Sequence, residues 1–221
     1  ELAFPKDLAG QTVLVTAGAT QEPMDPVRYI TNHSTGKMGY AIAQNAARRG
    51  ASVTLISGKT TLPVPRFVQQ FVPIVTAEEL HQAVVQHAAQ CDLVIMSAAV
   101  ADYRPTVVQT EKIKKHDTVS TLFLERTTDI LAELGQNKRP GQYLCGFSME
   151  TESLLENSRK KLEQKNLDLI VANNLKQPGA GFAIDTNLVT LLTKEETVSL
   201  PLLSKEAVAE QLLTFIQNHR A

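Results

Sequence analysis

The chain has 221 residues, 43% hydrophobic and 20% charged, with a formal net charge of −1. This is ordinary globular composition, enough for one large domain or two small ones, and one is the simpler expectation. Near-neutral charge argues against a general nucleic-acid or membrane-binding surface, so an anionic ligand would need a local cationic cluster.

Short apolar runs alternate with helical ones along the chain. Residues 12–16 (TVLVT) predict a first strand. A long polar stretch follows, ending in Asp25-Pro-Val-Arg28-Tyr-Ile-Thr-Asn32-His-Ser34-Thr-Gly36-Lys37-Met-Gly39, and a helix-like run covers residues 38–49. Residues 52–57 predict a second strand. Thr76-Ala-Glu-Glu79 opens a helix to about residue 90, with a threonine cap and a glutamate three positions on. Residues 93–97 predict a third strand. The segment 102–121 is polar, basic and aperiodic, a candidate mobile loop. A short helix begins near Thr128, and strands at 142–147 and 167–172 flank a helix from Thr151 to about Asn166. In the tail, residues 187–192 and 197–200 read as a hairpin, and residues 204–218 as a final helix.

The strand runs are apolar throughout, which suits strands buried on both faces of a parallel sheet. The fold class expected is α/β: a doubly wound, mostly parallel Rossmann-like sheet with helices on both faces and a C-terminal β-hairpin plus helix. One domain is expected over residues 1–221, with a flexible lid at about 103–120. Cys91 and Cys145 lie beside or within apolar runs and have neither metal-ligand nor CxxC spacing, so both are expected to be buried and reduced. No signal peptide or membrane-length apolar run occurs, so a cytoplasmic location, with no membrane or nucleic-acid partner, is expected.

Candidate chemistry gathers at strand-to-helix passages. Gly18 follows the first strand, but Ala17-Gly-Ala-Thr20 holds a single glycine, not the GxGxxG of a dinucleotide fold. That weakens a nicotinamide oxidoreductase reading. Gly36 and Gly39 flank Lys37 at a helix start, where free amides and the helix dipole favour an anion. Ser34 and Thr35 add hydroxyl donors, Arg28 a planar fork for carboxylate or phosphate, and Asn32 an uncharged group for holding a carbonyl. The plainer alternative is a capped helix after a structured loop.

A second constellation is Met96-Ser97-Ala98-Ala99-Val-Ala-Asp102-Tyr-Arg104, at the carboxyl end of the third strand. Its small residues let a planar ring approach the backbone, and Asp102 could hold a ribose hydroxyl or a divalent cation. A small-residue turn is the alternative. Glu111-Lys112-Ile-Lys114-Lys115 is either a solvated charge run or a lid that carries a lysine onto phosphates. Lys161 and Lys165 stand four apart on one helix face, a solvated basic face or a polyphosphate contact.

Taken together, these motifs resemble the bacterial phosphopantothenate–cysteine ligase family, often the C-terminal half of a bifunctional coenzyme A biosynthesis protein. The resemblance runs along nearly the whole chain. It rests on residues 25–39, Ala98-Ala-Val-Ala-Asp-Tyr-Arg104, Lys112-Ile-Lys-Lys115, Asp168-Leu-Ile-Val-Ala-Asn173, and Gly181-Phe182 with Asp185 and Asn187. It implies a Mg2+-assisted reaction in which 4′-phosphopantothenate attacks CTP to give an acyl-cytidylate, and L-cysteine then displaces CMP.

The same resemblance implies the site residues. Asn32 aligns with an intermediate-binding asparagine and Lys112 with a catalytic lid lysine. Met96, Ser97 and Ala98 match a segment that reads cytosine through its backbone, and Asp102 a nucleotide-contacting aspartate. Thr128, Asp129, Ile130, Leu131, Phe147, Lys161 and Lys165 match further CTP contacts. Gly18, Ser34, Gly36 and Lys37 fall to the phosphates, Arg28 and Ala99 to the acid substrate. Thr128 stands where the family pattern has proline, and Ser148-Met149 where small alanines are frequent. A homodimer is implied, as is an upstream flavin-dependent decarboxylase half in a longer polypeptide. The chain begins at Glu1 and carries no such half, so no FMN is expected here. An ATP-using version of the ligase and a non-catalytic nucleotide-binding module remain alternatives.

Overall fold

Strand β1 (Thr12–Ala17) sends Val13, Val15 and Ala17 into one apolar layer and Leu14 into another. All four are almost inaccessible to solvent, and this two-sided burial sets the architecture. A computed structural model describes residues 4–114, 121–150, 153–174 and 184–220.

Beyond β1, β2 (Gln21–Pro23) and β3 (Tyr29–Thr31) form an antiparallel ribbon. Helix α1 (Lys37–Arg48), β4 (Ser52–Ser57), β5 (Gln70–Pro73), α2 (Ala77–Ala88) and β6 (Leu93–Met96) follow. A second ribbon pairs β7 (Tyr103–Pro105) with β8 (Leu124–Arg126). Then come α3 (Ile130–Gln136), β9 (Tyr143–Glu150), α4 (Leu154–Gln164) and β10 (Leu169–Asn174). The tail holds β11 (Thr186–Asn187), β12 (Val189–Leu192), β13 (Thr197–Ser199), β14 (Leu203–Ser204) and α5 (Lys205–His219).

Eight strands form one sheet in the order β13-β12-β10-β9-β6-β1-β4-β5. The run from β10 to β5 is parallel, and β12 and β13 extend it as an antiparallel hairpin. Helices α1 and α5 cover one face through Ile42, Ala43, Ala46, Leu212, Leu213 and Ile216. Helices α2, α3 and α4 cover the other through Leu80, Val84, Ile130 and Leu162. The Rossmann-like fold expected from the alternating runs is therefore the one observed, with its C-terminal hairpin and helix.

The chain leaves β1 toward β4 and β5, then crosses back to β6 on the opposite side of β1. Such a reversal opens a crevice beyond the carboxyl ends of the two central strands. Pairing continues past those ends: Ala99 N–H donates to Gly18 O at 2.8 Å, and Ser97 Oγ to Thr16 O at 2.8 Å. Residues 97–99 are thereby held rigidly at the crevice mouth.

Helix starts follow local chemistry. Thr76 Oγ1 accepts from Glu79 N–H at 3.2 Å, and Glu79 reaches back to accept from Val75 N–H at 2.6 Å. Strand β9 extends to Glu150, three residues beyond the 142–147 run, because its end pairs with β10 through Asn174. The two ribbons and edge strand β5 have no signal in the sequence: they are three or four residues long and carry no buried alternation. The segment expected as a loop from residue 102 thus begins as a strand, because Tyr103 finds Arg126 across the ribbon. Lys115, Thr151, Gly181 and Phe182 lie outside the described residues.

Both cysteines are free and buried, as expected. Burial, aided by the Asp92 charge, pushes the Cys91 thiol up to about 11, and burial raises Cys145 as well. Neither is a thiolate at neutral pH.

Gly39 marks where α1 seats on the sheet. A methyl added there would stand 2.6 Å from Ala17 Cβ, 2.7 Å from Ser97 Oγ and 2.9 Å from Thr16 O. Gly39→Ala is expected to destabilise the fold by about 1–3 kcal/mol through overpacking. Thermal unfolding should show a fall of roughly 3–10 °C for a chain of this size, and an unchanged midpoint would refute the close seating.

Candidate functional site

Two cavities open at the crevice beyond β1, β6, β9 and β10. The first, about 400 Å³, lies against the start of α1. The second, about 480 Å³, lies between α3, α4 and the ends of β6 and β9. They share a wall made of Ala98, Val100, Asp102 and Phe147.

Helix α1 begins at Gly36, whose φ of 80° is the left-handed region that glycine tolerates. A Cβ at Gly36 would also meet Thr60 Cγ2 at 2.7 Å. Among the described residues no side chain caps this helix, and the start of the helix faces the cavity, where its dipole favours an anion. Ser34, Gly36 and Lys37 line the cavity, and Thr35, Met38 and Gly39 join them. The Lys37 ammonium pairs with Asp185 at 2.7 Å and holds that carboxyl below its usual range. Gly18 lines neither cavity. Its φ is 76°, and its amide nitrogen stands 3.4 Å from where a Gly36 Cβ would be, so it supports the cradle from below.

Asn32 lines the first cavity with Ser97, Ala98, Ala99 and Asp102. Its carboxamide nitrogen donates to Ala99 O and Val100 O, both at 3.2 Å. The side chain is therefore a strap onto the wall segment, its amide nitrogen engaged by two backbone carbonyls. Ala98 N–H and Ala99 N–H are likewise donated, to Thr16 Oγ1 at 3.1 Å and to Gly18 O. A ligand edge lying along this segment would be met by carbonyl acceptors.

Thr128, Asp129, Ile130 and Leu131 line the second cavity with Met96, Phe147, Lys161 and Lys165. Asp129 caps α3 by accepting from Ala132 N–H at 3.1 Å, and it pairs with Lys165 at 2.9 Å. Lys161 in the last turn of α4 and Lys165 at its C-cap, where the helix ends short of the expected Asn166, are thus brought to one cavity. Asp102 stands at the rim of both. Among the described residues, no cluster of three His, Cys, Asp or Glu side chains could cage a metal. Asp102 offers a single carboxylate there, so a hard cation would need further oxygen donors, such as phosphates, to complete its shell.

Arg28 and Lys112 line neither cavity. Arg28 joins a latch instead. Asp25, almost fully buried, accepts from the amides of Val27 and Arg28 at 2.8 Å each and pairs with the Arg28 guanidinium. Together the pair holds both backbone groups of Ile113: its N–H donates to Asp25 Oδ2 at 3.0 Å, and its carbonyl accepts from Arg28 Nη2 at 2.8 Å. Gln109 N–H adds a bond to Met24 O at 2.9 Å. The segment that carries exposed Lys112 is therefore tethered at the residue next to that lysine.

Four cavity residues escaped the sequence reading as functional groups. Ser148, Asn173, Asn187 and Lys205 line the first cavity, and all are buried. Desolvation lowers the pKa of Lys205, and the Lys37 charge adds to the effect. Ser148 and Asn173 sit at the ends of β9 and β10. Their strands were visible in the sequence, but which strand ends share a cavity depends on strand order.

The model of the DNA/pantothenate metabolism flavoprotein C-terminal domain family matches residues 8–219. The chain is 48% identical over 207 residues to the coenzyme A biosynthesis bifunctional protein CoaBC of Bacillus subtilis (strain 168), covering 93% of this chain and 51% of that protein. It is 46% identical over 210 residues to the protein of the same name from Escherichia coli (strain K12), covering 94% and 52%. The chain spans about half the length of these curated relatives. A crystal structure of the C-terminal domain of CoaBC superposes with a TM-score of 0.81 at 42% identity, covering 96% of this chain and 97% of that one.

The latch yields a pH expectation. The Arg28 guanidinium and three backbone amides hold the Asp25 carboxyl well below its ordinary value of 3.8. A depressed pKa contributes stability that is present above the unfolded value and is lost as pH falls through the folded one. The Ile113 amide should therefore stay protected from hydrogen exchange from neutral pH down to about pH 4, after correction for intrinsic exchange rates. Asp25→Asn should remove that protection at neutral pH. Equal protection in wild type and variant would refute the latch.

Proposed function

This chain belongs to the DNA/pantothenate metabolism flavoprotein C-terminal domain family, and on that premise we propose that it is a phosphopantothenate–cysteine ligase of coenzyme A biosynthesis. The observation that carries the reading is the pair of cavities sharing one wall, with an uncapped helix start in one and paired lysines in the other. Two ligands held there would meet at the shared wall of Ala98, Val100, Asp102 and Phe147, with Asn32 and Ala99 on its first-cavity side.

In this reading the 4′-phosphopantothenate carboxylate attacks the α-phosphate of CTP, the P–O bond to pyrophosphate breaks, and an acyl-cytidylate forms. The amine of L-cysteine attacks the acyl carbon, loses a proton to solvent, and CMP leaves. The protein's part is to hold and orient the reactants. The first-turn amides of α1 and Lys37 hold negative charge in the first cavity, and Lys161 and Lys165 do so in the second. Lys112, tethered through Ile113, is the lid lysine that closes on the phosphates. Carbonyls of residues 96–98 suit the amino edge of cytosine, which is a donor. Mg2+ carried on the phosphates and held by Asp102 would neutralise charge on the leaving group. The Asn32 strap fixes the wall against which the acyl group lies, and its carboxamide oxygen can accept from the incoming amine.

No FMN is part of the proposal. Flavin-dependent decarboxylation would belong to a further half, which fits a chain spanning about half of bifunctional relatives. The eight-stranded sheet with its two helix layers supports reading residues 1–221 as one ligase domain. No helix among the described residues is long and apolar enough to cross a membrane, and a cytoplasmic location is proposed.

A homodimer completes the reading. The two ribbons and the residues beside them expose Val27, Tyr29, Tyr103, Val107, Phe123 and Leu124, with Phe123 at 73%. Apolar groups gathered this way on ribbon edges suit a second copy of the chain. Phe123→Glu is expected to shift the protein to monomer in light scattering at micromolar concentration, and an unchanged mass would remove these ribbons from the interface.

The test of the function is turnover with 4′-phosphopantothenate, L-cysteine and Mg2+, following CMP release against AMP release with ATP. No turnover with either nucleotide would overturn the ligase reading, and AMP release alone would overturn the choice of CTP. Asn32→Asp replaces a doubly donating amide with a carboxylate facing two carbonyls and the acyl phosphate. It should impair the cysteine-dependent step about 100-fold or more, with smaller loss of pyrophosphate release, so that acyl-cytidylate accumulates.

A further inference from the structure

Six buried side-chain oxygens lack a hydrogen-bond partner among the described residues. Three of them, Ser148 Oγ, Asn173 Oδ1 and Asn187 Oδ1, belong to residues that line the first cavity. These residues are 2%, 6% and 2% exposed. A buried polar atom without a partner is costly, and a folded chain keeps few of them. Three at one cavity point to a ligand that supplies the missing partners.

The chemistry of the three is uniform. Each is neutral, and each can accept a hydrogen bond, while Ser148 can also donate. Asn187 Nδ2 already contacts Met38 Sδ at 3.8 Å, so its oxygen is the end left for a ligand. Phe147, Met38 and Met149 interleave apolar surface among them. Lys37 and Lys205 bring cations to the same lining, and the Asn32 strap belongs to it too. A neutral, amide- and hydroxyl-bearing chain with apolar spacers matches this lining. A polyphosphate does not, and a free amino acid would leave most of it unpaired.

We propose that Ser148, Asn173 and Asn187 form a recognition subsite for the neutral amide and hydroxyl portion of the carboxylic-acid substrate. This rests on the ligase reading and deepens it. The carboxylate lies toward Asn32 and the shared wall. The phosphorylated end of the acid lies toward Lys37, Lys205 and the helix start. Discrimination against shorter acids follows, because an acid without the amide leaves the three oxygens unpaired.

Ser148→Ala is the sharpest test. It deletes an unpartnered buried hydroxyl, so thermal stability should hold or rise. The KM for 4′-phosphopantothenate should rise about 3- to 10-fold, with the KM for CTP and for cysteine unchanged. Asn187→Asp keeps the shape, removes the amide's donor and adds a charge, and it should raise the same KM more. An unchanged KM for the acid, or a rise confined to CTP or cysteine, overturns the subsite. A fall in melting temperature for Ser148→Ala with unchanged KM assigns the hydroxyl to structure and overturns it too. If wild type forms no product, the ligase reading fails by itself. Calorimetric titration of 4′-phosphopantothenate into wild type and Ser148→Ala then decides the subsite: weaker binding by the variant supports it, and equal or absent binding overturns it.

Discussion

The seating of α1 on the ends of β1 and β6 is the constraint on which the rest of the site depends. At Gly39 the helix backbone comes so close to Ala17, Ser97 and Thr16 that no side chain fits. One turn earlier, Gly36 adopts the left-handed conformation that turns the loop into the helix. The uncapped first turn then faces the crevice where strand order reverses. Ser97 to Ala99 form the opposite wall because their backbone and hydroxyl groups are bonded to Thr16 and Gly18. The two cavities are what this close approach leaves between the loops and helices that follow.

Charge is handled locally. The chain is almost neutral overall, yet Lys37, Lys165 and Arg28 converge near the crevice, each with a carboxylate partner: Asp185, Asp129 and Asp25. The exposed pairs at Lys37 and Lys165 contribute little stability in water. Their effect is to hold cations in place without leaving like charges to repel. An incoming phosphate can share or replace the carboxylate at modest cost. The Asp25–Arg28 pair differs, since its carboxylate is buried and saturated by backbone amides. It is an anchor and not an exchangeable partner, and it ties the lysine-bearing segment to the loop before α1.

The cavity lining contrasts with this cationic rim. Ser148, Asn173 and Asn187 are neutral and buried, whereas Lys37 and Lys165 stand nearer solvent. A substrate with a charged end and a neutral middle would find each portion matched. Shape and hydrogen bonding in the interior then set selectivity, while the rim sets attraction.

Strand runs, helix periods and the capping pattern at Thr76 were legible in the sequence, because each depends on neighbours within a turn or a pleat. So were the Asn32 loop, residues 96–102 and the pair Lys161 and Lys165 as cavity-lining candidates, since their types and spacing are local. The ribbons were not, because three-residue strands such as Tyr103–Pro105 are stabilised by partners some twenty residues away. Nor was the engagement of Arg28, whose guanidinium meets Ile113 eighty-five positions later in the chain. Ser148, Asn173 and Asn187 carry no motif that marks them as one group; only the adjacency of β9 and β10 and the return of the tail over the sheet place them in one cavity. By itself, then, the sequence determined the α/β class, the polar strand-to-helix loop that lines the first cavity and the family likeness, all written in short-range patterns. The tertiary structure alone decided which strand ends meet, which cations are already paired and which buried oxygens are left without partners, because those are facts of long-range contact.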